Sequence, residues 1–203
     1  SVIGPVFRGE RAQKGRFRQF DQCDVDVIGM ESLSLLNDAM IPAIIVNIFK
    51  ALEIGNFKVR INNRKILSGI AEVIGESEKL IDITVCLDKL DKIGVEKVKS
   101  EMLAKGISDD AISQLDPLFG LTGSNQDKLT ILKSFLSKSE IGVKGIHEIE
   151  FVLNSINDIG LNKAKIVIDV NLARGLNYYT GAIMEIKTHE YEIGSLGGGG
   201  RYD

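Results

Sequence analysis

The sequence predicts an α+β fold: an antiparallel sheet flanked by helices, with a small helical subdomain inserted into it. Three observations carry that expectation. Segments near both ends alternate apolar and polar residues, which is the period of a strand. Between about residues 76 and 145 the apolar residues recur at three and four instead, with no strand-like alternation. A chain of 203 residues with 44% hydrophobic content can bury a core around both patterns. The expected division is a first part of the sheet domain over 1–75, the helical subdomain over 76–145, and a second part of the sheet domain over 146–203.

The first element is a hairpin. Residues 1–9 read as a strand already under way, and a cationic loop then leads into a second strand ending near Ile28. Along that second strand Gln22, Asp24 and Asp26 share one face, while Cys23, Val25 and Val27 share the other, which is expected to bury against a core. Carboxylates side by side are costly without a cation or donor between them. Across the hairpin stand Arg8, Arg11, Lys14, Arg16 and Arg18, with Glu10 the only acid among them. The hairpin thus offers a polyanion site beside an ammonium or imidazole site, and ATP next to an amino acid would suit it.

A helix is expected over Asp38 to Glu53, where Ile41, Ile44, Ile45, Ile48, Phe49 and Leu52 fall at helical spacing. Asp38 is placed to cap it, Gly55 to stop it, and Pro42 to sit in its first turn. Phe57 to Ile61 alternates as a strand, Asn62-Asn63 turns the chain, and a short helix follows over about Lys65 to Ile74. In the helical subdomain Leu80, Ile83, Leu87, Leu90 and Ile93 mark one helix. Val98, Met102 and Ile107 mark a second, and Leu129, Leu132, Phe135 and Leu136 a third. Gly120, Gly123, Ser124 and Asn125 supply a loop between them. The lysines of this region are nearly balanced by acids, the pattern of a solvated helix surface. Helical period returns over His147 to Ile159, then Lys165 to Leu172 reads as a buried strand. A turn over Asn177 to Gly181 leads into Ala182 to Lys187, so a second hairpin is expected in the same sheet.

Three motifs in order resemble a known family. Arg8 and Glu10 form an Arg-x-Glu pair, followed after a loop by Arg16 and, four positions on, Phe20. That is the pattern of motif 2 of class II aminoacyl-tRNA synthetases, and its wording is similar to that of the histidyl-tRNA synthetases. Leu172-Ala-Arg-Gly-Leu-Asn-Tyr-Tyr-Thr-Gly181 resembles their Arg-Gly-Leu-Asp-Tyr-Tyr peptide, and Gly197-Gly-Gly-Gly-Arg-Tyr-Asp203 their Gly-Gly-Arg-Tyr-Asp strand. The resemblance covers nearly the whole chain and implies a class II synthetase-type antiparallel sheet. It implies a histidine–tRNA ligase that joins histidine to ATP as histidyl-adenylate and transfers it to tRNA(His).

The roles follow from the same resemblance. Arg8 and Arg174 match α-phosphate ligands and would be the catalytic pair, Arg174 standing where other class II enzymes place a metal ion. Arg16 matches the ligand of the terminal phosphates, Phe20 the ring stacked on adenine, and Glu10 the acid near the adenine amino group. Gln22 matches the contact to the substrate's α-amino group, Asp26 and Tyr179 the contacts to the two imidazole nitrogens. Tyr178 and the backbone of Gly198, Gly199 and Gly200 complete the histidine pocket, glycine letting the substrate lie against the chain. Mg²⁺ is expected only through the ATP phosphates, with no dedicated protein metal site. The motif 2 loop and the helical subdomain are expected to approach tRNA(His), and the parent to be a cytoplasmic homodimer. Two positions depart from the pattern: Asp26 where Glu is common, and Asn177 where Asp is common. An amide keeps the hydrogen bonding and loses the charge. The four glycines are not a phosphate loop, because no Gly-Lys-Ser/Thr follows.

The resemblance also implies a chain that starts at motif 2 and stops before motif 3, so the isolated 203 residues are expected to show little activation activity. The rival is a paralogue that binds histidine as a signal, such as the regulatory subunit of ATP phosphoribosyltransferase. A second rival is the RNA-binding pseudo-synthetase domain of a stress-sensing kinase. Arg174 with both tyrosines favours the enzyme over the first, and Arg8 with Glu10 and Arg174 favours it over the second. Net charge of −3 argues against a generally basic nucleic-acid coat. Cys23 and Cys86 form no Cys-x-x-Cys pair and are expected as free thiols. His147 and His189 form no metal-binding pattern. No apolar run approaches the roughly 18–20 residues of a membrane helix.

Overall fold

A computed structural model describes residues 1–9, 11, 17–30, 33–158, 166–174, 178–188, 190 and 194–202. Glu10, Lys14, Arg16, Lys165, Asn177 and His189 lie outside the described residues. Strands β1 (Val2–Phe7) and β2 (Gln19–Asp24) form an antiparallel hairpin in which Val6 faces Phe20 and Gly4 faces Gln22. Helix α1 (Leu36–Ala51) follows, then β3 (Phe57–Asn63) and α2 (Arg64–Val73).

Three details of this stretch differ from the expectation. Asp38 lies inside the first turn of α1 rather than capping it, and its carboxylate accepts from Arg201 Nε at 3.0–3.1 Å. Pro42 falls in the second turn, where it leaves the Asp38 carbonyl without its usual helical donor. Asn62 and Asn63 do not turn the chain. Both are fully buried strand residues: the Asn62 amide donates to the carbonyls of Val170 and Leu172 at 3.1 and 2.9 Å. Asn63 donates to Glu148 at 2.8 Å and accepts from the Lys65 N–H, capping α2. Their side-chain N–H groups find acceptors in the core, so the strand continues through them, with the Asn62 Oδ1 left buried and unpaired among the described residues.

The helical region holds, among the described residues, α3 (Leu80–Leu87), α4 (Leu90–Ile93), α5 (Val95–Ala104), α6 (Asp109–Gln114), α7 (Asp116–Phe119) and α8 (Asn125–Phe135). The single helix expected over 80–93 is two, and Gly94 at φ 80° ends the second. Ser124 opens α8 with a capping box to Asp127. Lysines 89, 99, 105 and 133 pair with Glu101, Asp116, Asp82 and Glu150, the balanced surface that the charge pattern predicts. Helix α9 (Glu140–Asp158) starts seven residues before the expected one, so position 145/146 falls inside it. Gly145 would ordinarily argue against a helix, yet here it admits α2: a Cβ on Gly145 would stand 2.8 Å from the Ile66 nitrogen, and one on Gly69 of α2 would stand 2.5 Å from the Gly142 Cα.

Strands β4 (Ile166–Ile168), β5 (Ala182–Thr188) and β6 (Gly197–Gly200) complete a sheet of order β4-β3-β5-β6. The hairpin expected between 165–172 and 182–187 is not formed. Instead β4 runs parallel to β3 on its far side, and β5 runs antiparallel between β3 and β6. A parallel pair needs a long crossover, which the helices from α2 to α9 supply. The strand stops early because Asp169 accepts the Asn171 N–H and turns the chain. The core lies between the sheet and the helices, with Val59, Ile61, Ile66, Leu67, Ile149 and Ile186 all buried.

Candidate active site

The hairpin carries one ordered polar row. Arg8 Cζ stands 5.0 Å from the centroid of the Phe20 ring, a cation–π distance, and Arg8 Nη2 donates to Gln22 Oε1 at 2.9 Å. Gln22 Nε2 in turn donates to both oxygens of Asp24 at 2.7 and 2.9 Å. Strand alternation places these groups on one face, and the amide is oriented by opposite charges at its two ends. The other face departs from the expectation. Ile3 and Phe7 are 76% and 73% exposed, and Cys23 and Val27 are exposed too, so no core covers this face among the described residues. Asp26 lies beyond β2 rather than within it.

The second group forms around the β5–β6 edge. Arg174 uses a single nitrogen, Nη1, for all its hydrogen bonds to described residues: Ser195 Oγ at 2.7 Å, the Gly197 carbonyl at 3.3 Å and Glu185 Oε1 at 3.4 Å. Here the strand glycines are a steric requirement. A Cβ on Gly198 would stand 2.6 Å from Arg174 Nη1 and 2.8 Å from the Met184 carbonyl. One on Gly200 would meet the Ala182 carbonyl at 2.7 Å and the Tyr179 ring at 3.0 Å. Gly199 faces the opposite way, into open space. The three glycines expected to line one substrate surface are therefore divided by strand alternation between two faces.

Tyrosines join this edge to the end of the hairpin. Tyr178 and Tyr179 have ring centroids 4.2 Å apart, and Tyr178 and Tyr202 lie edge-on at 6.3 Å. The Tyr202 hydroxyl donates to Asp26 Oδ1 at 3.3 Å. Burial, reinforced by the neighbouring Tyr178, raises the Tyr179 hydroxyl well above the ordinary phenol value, so it remains a neutral donor and acceptor. The Asp26 carboxylate raises Tyr202 as well. A continuous path thus runs from Asp26 through Tyr202, Tyr178 and Tyr179 to Gly200, Gly198 and Arg174. Arg8, Phe20 and Gln22 form the separate hairpin row.

Glu185, Ser195, Tyr202 and Arg201 are not singled out by the sequence motifs as site residues. Glu185 has a signal: it is the lone acid inside Ala-Ile-Met-Glu-Ile-Lys, where an apolar strand tolerates a charge only with a partner. Arg60, the lone guanidinium in Phe-Lys-Val-Arg-Ile, carries the same signal from the neighbouring strand.

A family model described as "Histidyl-tRNA synthetase" matches residues 2–203. This chain belongs to the histidyl-tRNA synthetase family. It is 53% identical over 201 residues to the histidine–tRNA ligase of Bacteroides fragilis, covering 99% of the chain and 43% of that relative. The crystal structure of histidyl-tRNA synthetase from Nostoc sp. PCC 7120 superposes with a TM-score of 0.89 at 40% identity, over 98% of the chain and 46% of that structure. A structure titled as an ATP phosphoribosyltransferase regulatory subunit/histidyl-tRNA synthetase from Bacillus halodurans, at 21% identity and a TM-score of 0.80, shares the fold over 99% of the chain and 50% of its own. The chain therefore spans less than half the length of the curated synthetase relatives it matches.

Proposed function

We propose that the protein containing this chain is a histidine–tRNA ligase: it activates histidine with ATP to histidyl-adenylate and transfers the histidyl group to tRNA(His). The observation that carries the reading is the path from Asp26 through the tyrosines to Arg174, found in a chain 53% identical to a histidine–tRNA ligase. At its two ends stand a carboxylate suited to an imidazole N–H and a guanidinium suited to a phosphate.

Activation brings two anions together, the histidine carboxylate and the α-phosphate, and expels pyrophosphate. The site must supply fixed cations and alignment rather than a protein nucleophile. In this reading Arg8 and Arg174 bind the α-phosphate, Arg16 the terminal phosphates, and Phe20 and Glu10 the adenine. Mg²⁺ rides on the ATP phosphates and neutralises part of their charge. Asp26 and Tyr179 hold the two imidazole nitrogens, with Tyr178 and the backbone of one face of the Gly198–Gly200 strand beside them, and Gln22 holds the α-amino group. A pocket that bonds both ring nitrogens rejects apolar isosteres strongly, because its own polar groups would be left unpaired. The motif 2 loop and the helical region are assigned to tRNA(His), and the whole protein to a homodimer in the cytoplasm. The regulatory-subunit reading rests on fold likeness at 21% identity and is not favoured.

Histidine-dependent ATP–pyrophosphate exchange by the whole protein tests this directly. Exchange that depends on another amino acid, with none for histidine, overturns it. Within it, Arg174→Ala lowers the activation rate by about 10²-fold or more with histidine affinity nearly unchanged. Asp26→Ala chiefly weakens histidine binding, since its partner is the same in ground and transition states.

A further inference from the structure

Glu185 lies at the centre of β5, with β3 on one side and β6 on the other. Its two oxygens face different cations. Oε1 receives Arg174 Nη1 at 3.4 Å, while Oε2 receives Arg60 Nη1 at 3.1 Å and lies 3.4 Å from Lys187 Nζ. Arg60 is itself fully engaged: Nε donates to Asp169, and Nη2 to Asp91 of α4 at 2.9 Å. Side-chain exposure is 15% for Arg60 and 13% for Glu185, so the centre of the network is sheltered, while its ends at Asp91 and Arg174 are 58% and 39% exposed. It runs from the helical region through β3 to β5 and ends on Arg174.

We propose that Glu185 is the positioning residue for Arg174, its carboxylate pinned by Arg60 so that the guanidinium is held by Nη1 and presents its Nη2 edge to phosphate. This rests on the reading of Arg174 as an α-phosphate ligand and deepens it. Ser195 is nearer to Nη1, at 2.7 Å, and its hydroxyl is turned to the Gly197 carbonyl at 2.7 Å, but it is neutral and supplies no charge to hold a guanidinium. The carboxylate instead comes from a strand paired on both sides, and it carries the charge that fixes a guanidinium. Gly198 closes the third side, leaving no room for the guanidinium to withdraw toward β6.

The test uses the whole protein in histidine-dependent pyrophosphate exchange, with wild type, Glu185→Gln, Arg174→Ala and the double variant. An amide at 185 still accepts from Nη1 but sets an N–H against Arg60. A misplacement of about 1 Å costs up to 10²-fold, so Glu185→Gln is expected to lower kcat by about tenfold, with the histidine KM within about twofold of wild type. In the Arg174→Ala background the same change is expected to cost less than about twofold, because its target is gone. Glu185→Asp keeps the charge, draws the carboxylate back by one methylene, and gives the same non-additive pattern at smaller size; it decides the matter should the Gln variant fail to fold. The proposal is overturned if the loss at Glu185 is equal in both backgrounds, which marks a structural role, or if only the histidine KM moves. Wild-type kcat in the Arg174→Ala single variant overturns the phosphate reading itself, and with it this proposal. That result is separable from a loss seen with Arg174→Ala and absent at Glu185.

Discussion

The β1–β2 hairpin and the β5–β6 edge each present an arginine assigned to the same phosphate, yet they hold it in opposite ways. Arg8 stands exposed on the hairpin, over the Phe20 ring and bonded to Gln22, all within one local ladder. Arg174 is wedged against Gly198, where a Cβ would stand 2.6 Å from its Nη1, with Glu185 and Ser195 on that same nitrogen. Among the described residues the hairpin orders its row through strand register, whereas the edge orders its arginine by packing among segments far apart in sequence. Changes at the edge should consequently cost stability as well as function, and changes on the hairpin function alone.

Arg201 offers the strongest way to break that contrast. Its guanidinium ties the end of β6 to Asp38 and to the carbonyls of Leu33 and Ser34, with the pair 11% and 9% exposed. Arg201→Ala leaves a sheltered carboxylate uncompensated and is expected to cost about 3–5 kcal/mol in denaturant unfolding. A loss under about 1 kcal/mol would mean the edge is not built by packing after all.

The glycines sharpen the same point within one strand. Gly198→Ala must displace Arg174 or the Met184 carbonyl and is expected to destabilise by about 1–3 kcal/mol. Gly199→Ala meets open space and should stay within about 0.5 kcal/mol. If Gly199→Ala keeps stability but loses exchange activity in the whole protein, substrate lies against that second face. On the hairpin, Arg8→Ala is expected to leave unfolding within about 0.5 kcal/mol of wild type while lowering the activation rate by about 10²-fold. Equal losses of stability at Arg8 and Arg201 would erase the distinction.

The smallest expected effect reads the Asp26–Tyr202 link between the two regions. Tyr202 titrates above the ordinary phenol value because the Asp26 carboxylate opposes a phenolate beside it. Asp26→Asn removes that charge, so the Tyr202 titration followed by tyrosine-selective NMR should move down toward about 10. An unmoved titration would show that the hairpin's end and the β6 end are not in contact in solution.

Features of this protein are legible in its sequence to the degree that they are local. The hairpin, its alternating polar row and the strand of Phe57 to Ile61 follow from period-two patterning, which acts between neighbours. The helical region follows from the three-and-four repeat in the same way. Asn62 and Asn63 mislead because turn propensity is their only local signal, while their real partners, Val170, Leu172 and Glu148, are far along the chain. The early start of α9 is equally non-local: Gly145 as an isolated residue weakens a helix, but with Gly69 it is what lets α9 and α2 approach.

What the sequence determined by itself is therefore the chemistry and the local periods: which residues could meet ATP and histidine, and which segments would be strand or helix. Only the tertiary structure decided that β4 runs parallel beyond β3, that Asp38 serves Arg201 rather than its own helix, and that Glu185 turns one oxygen to Arg174 and the other to Arg60. The physical reason is that a charge in a sheltered place must be met by whatever partner the fold brings to it. That partner is chosen by packing across more than a hundred residues for Asp38 with Arg201 and for Arg60 with Glu185, a separation over which no sequence period reaches.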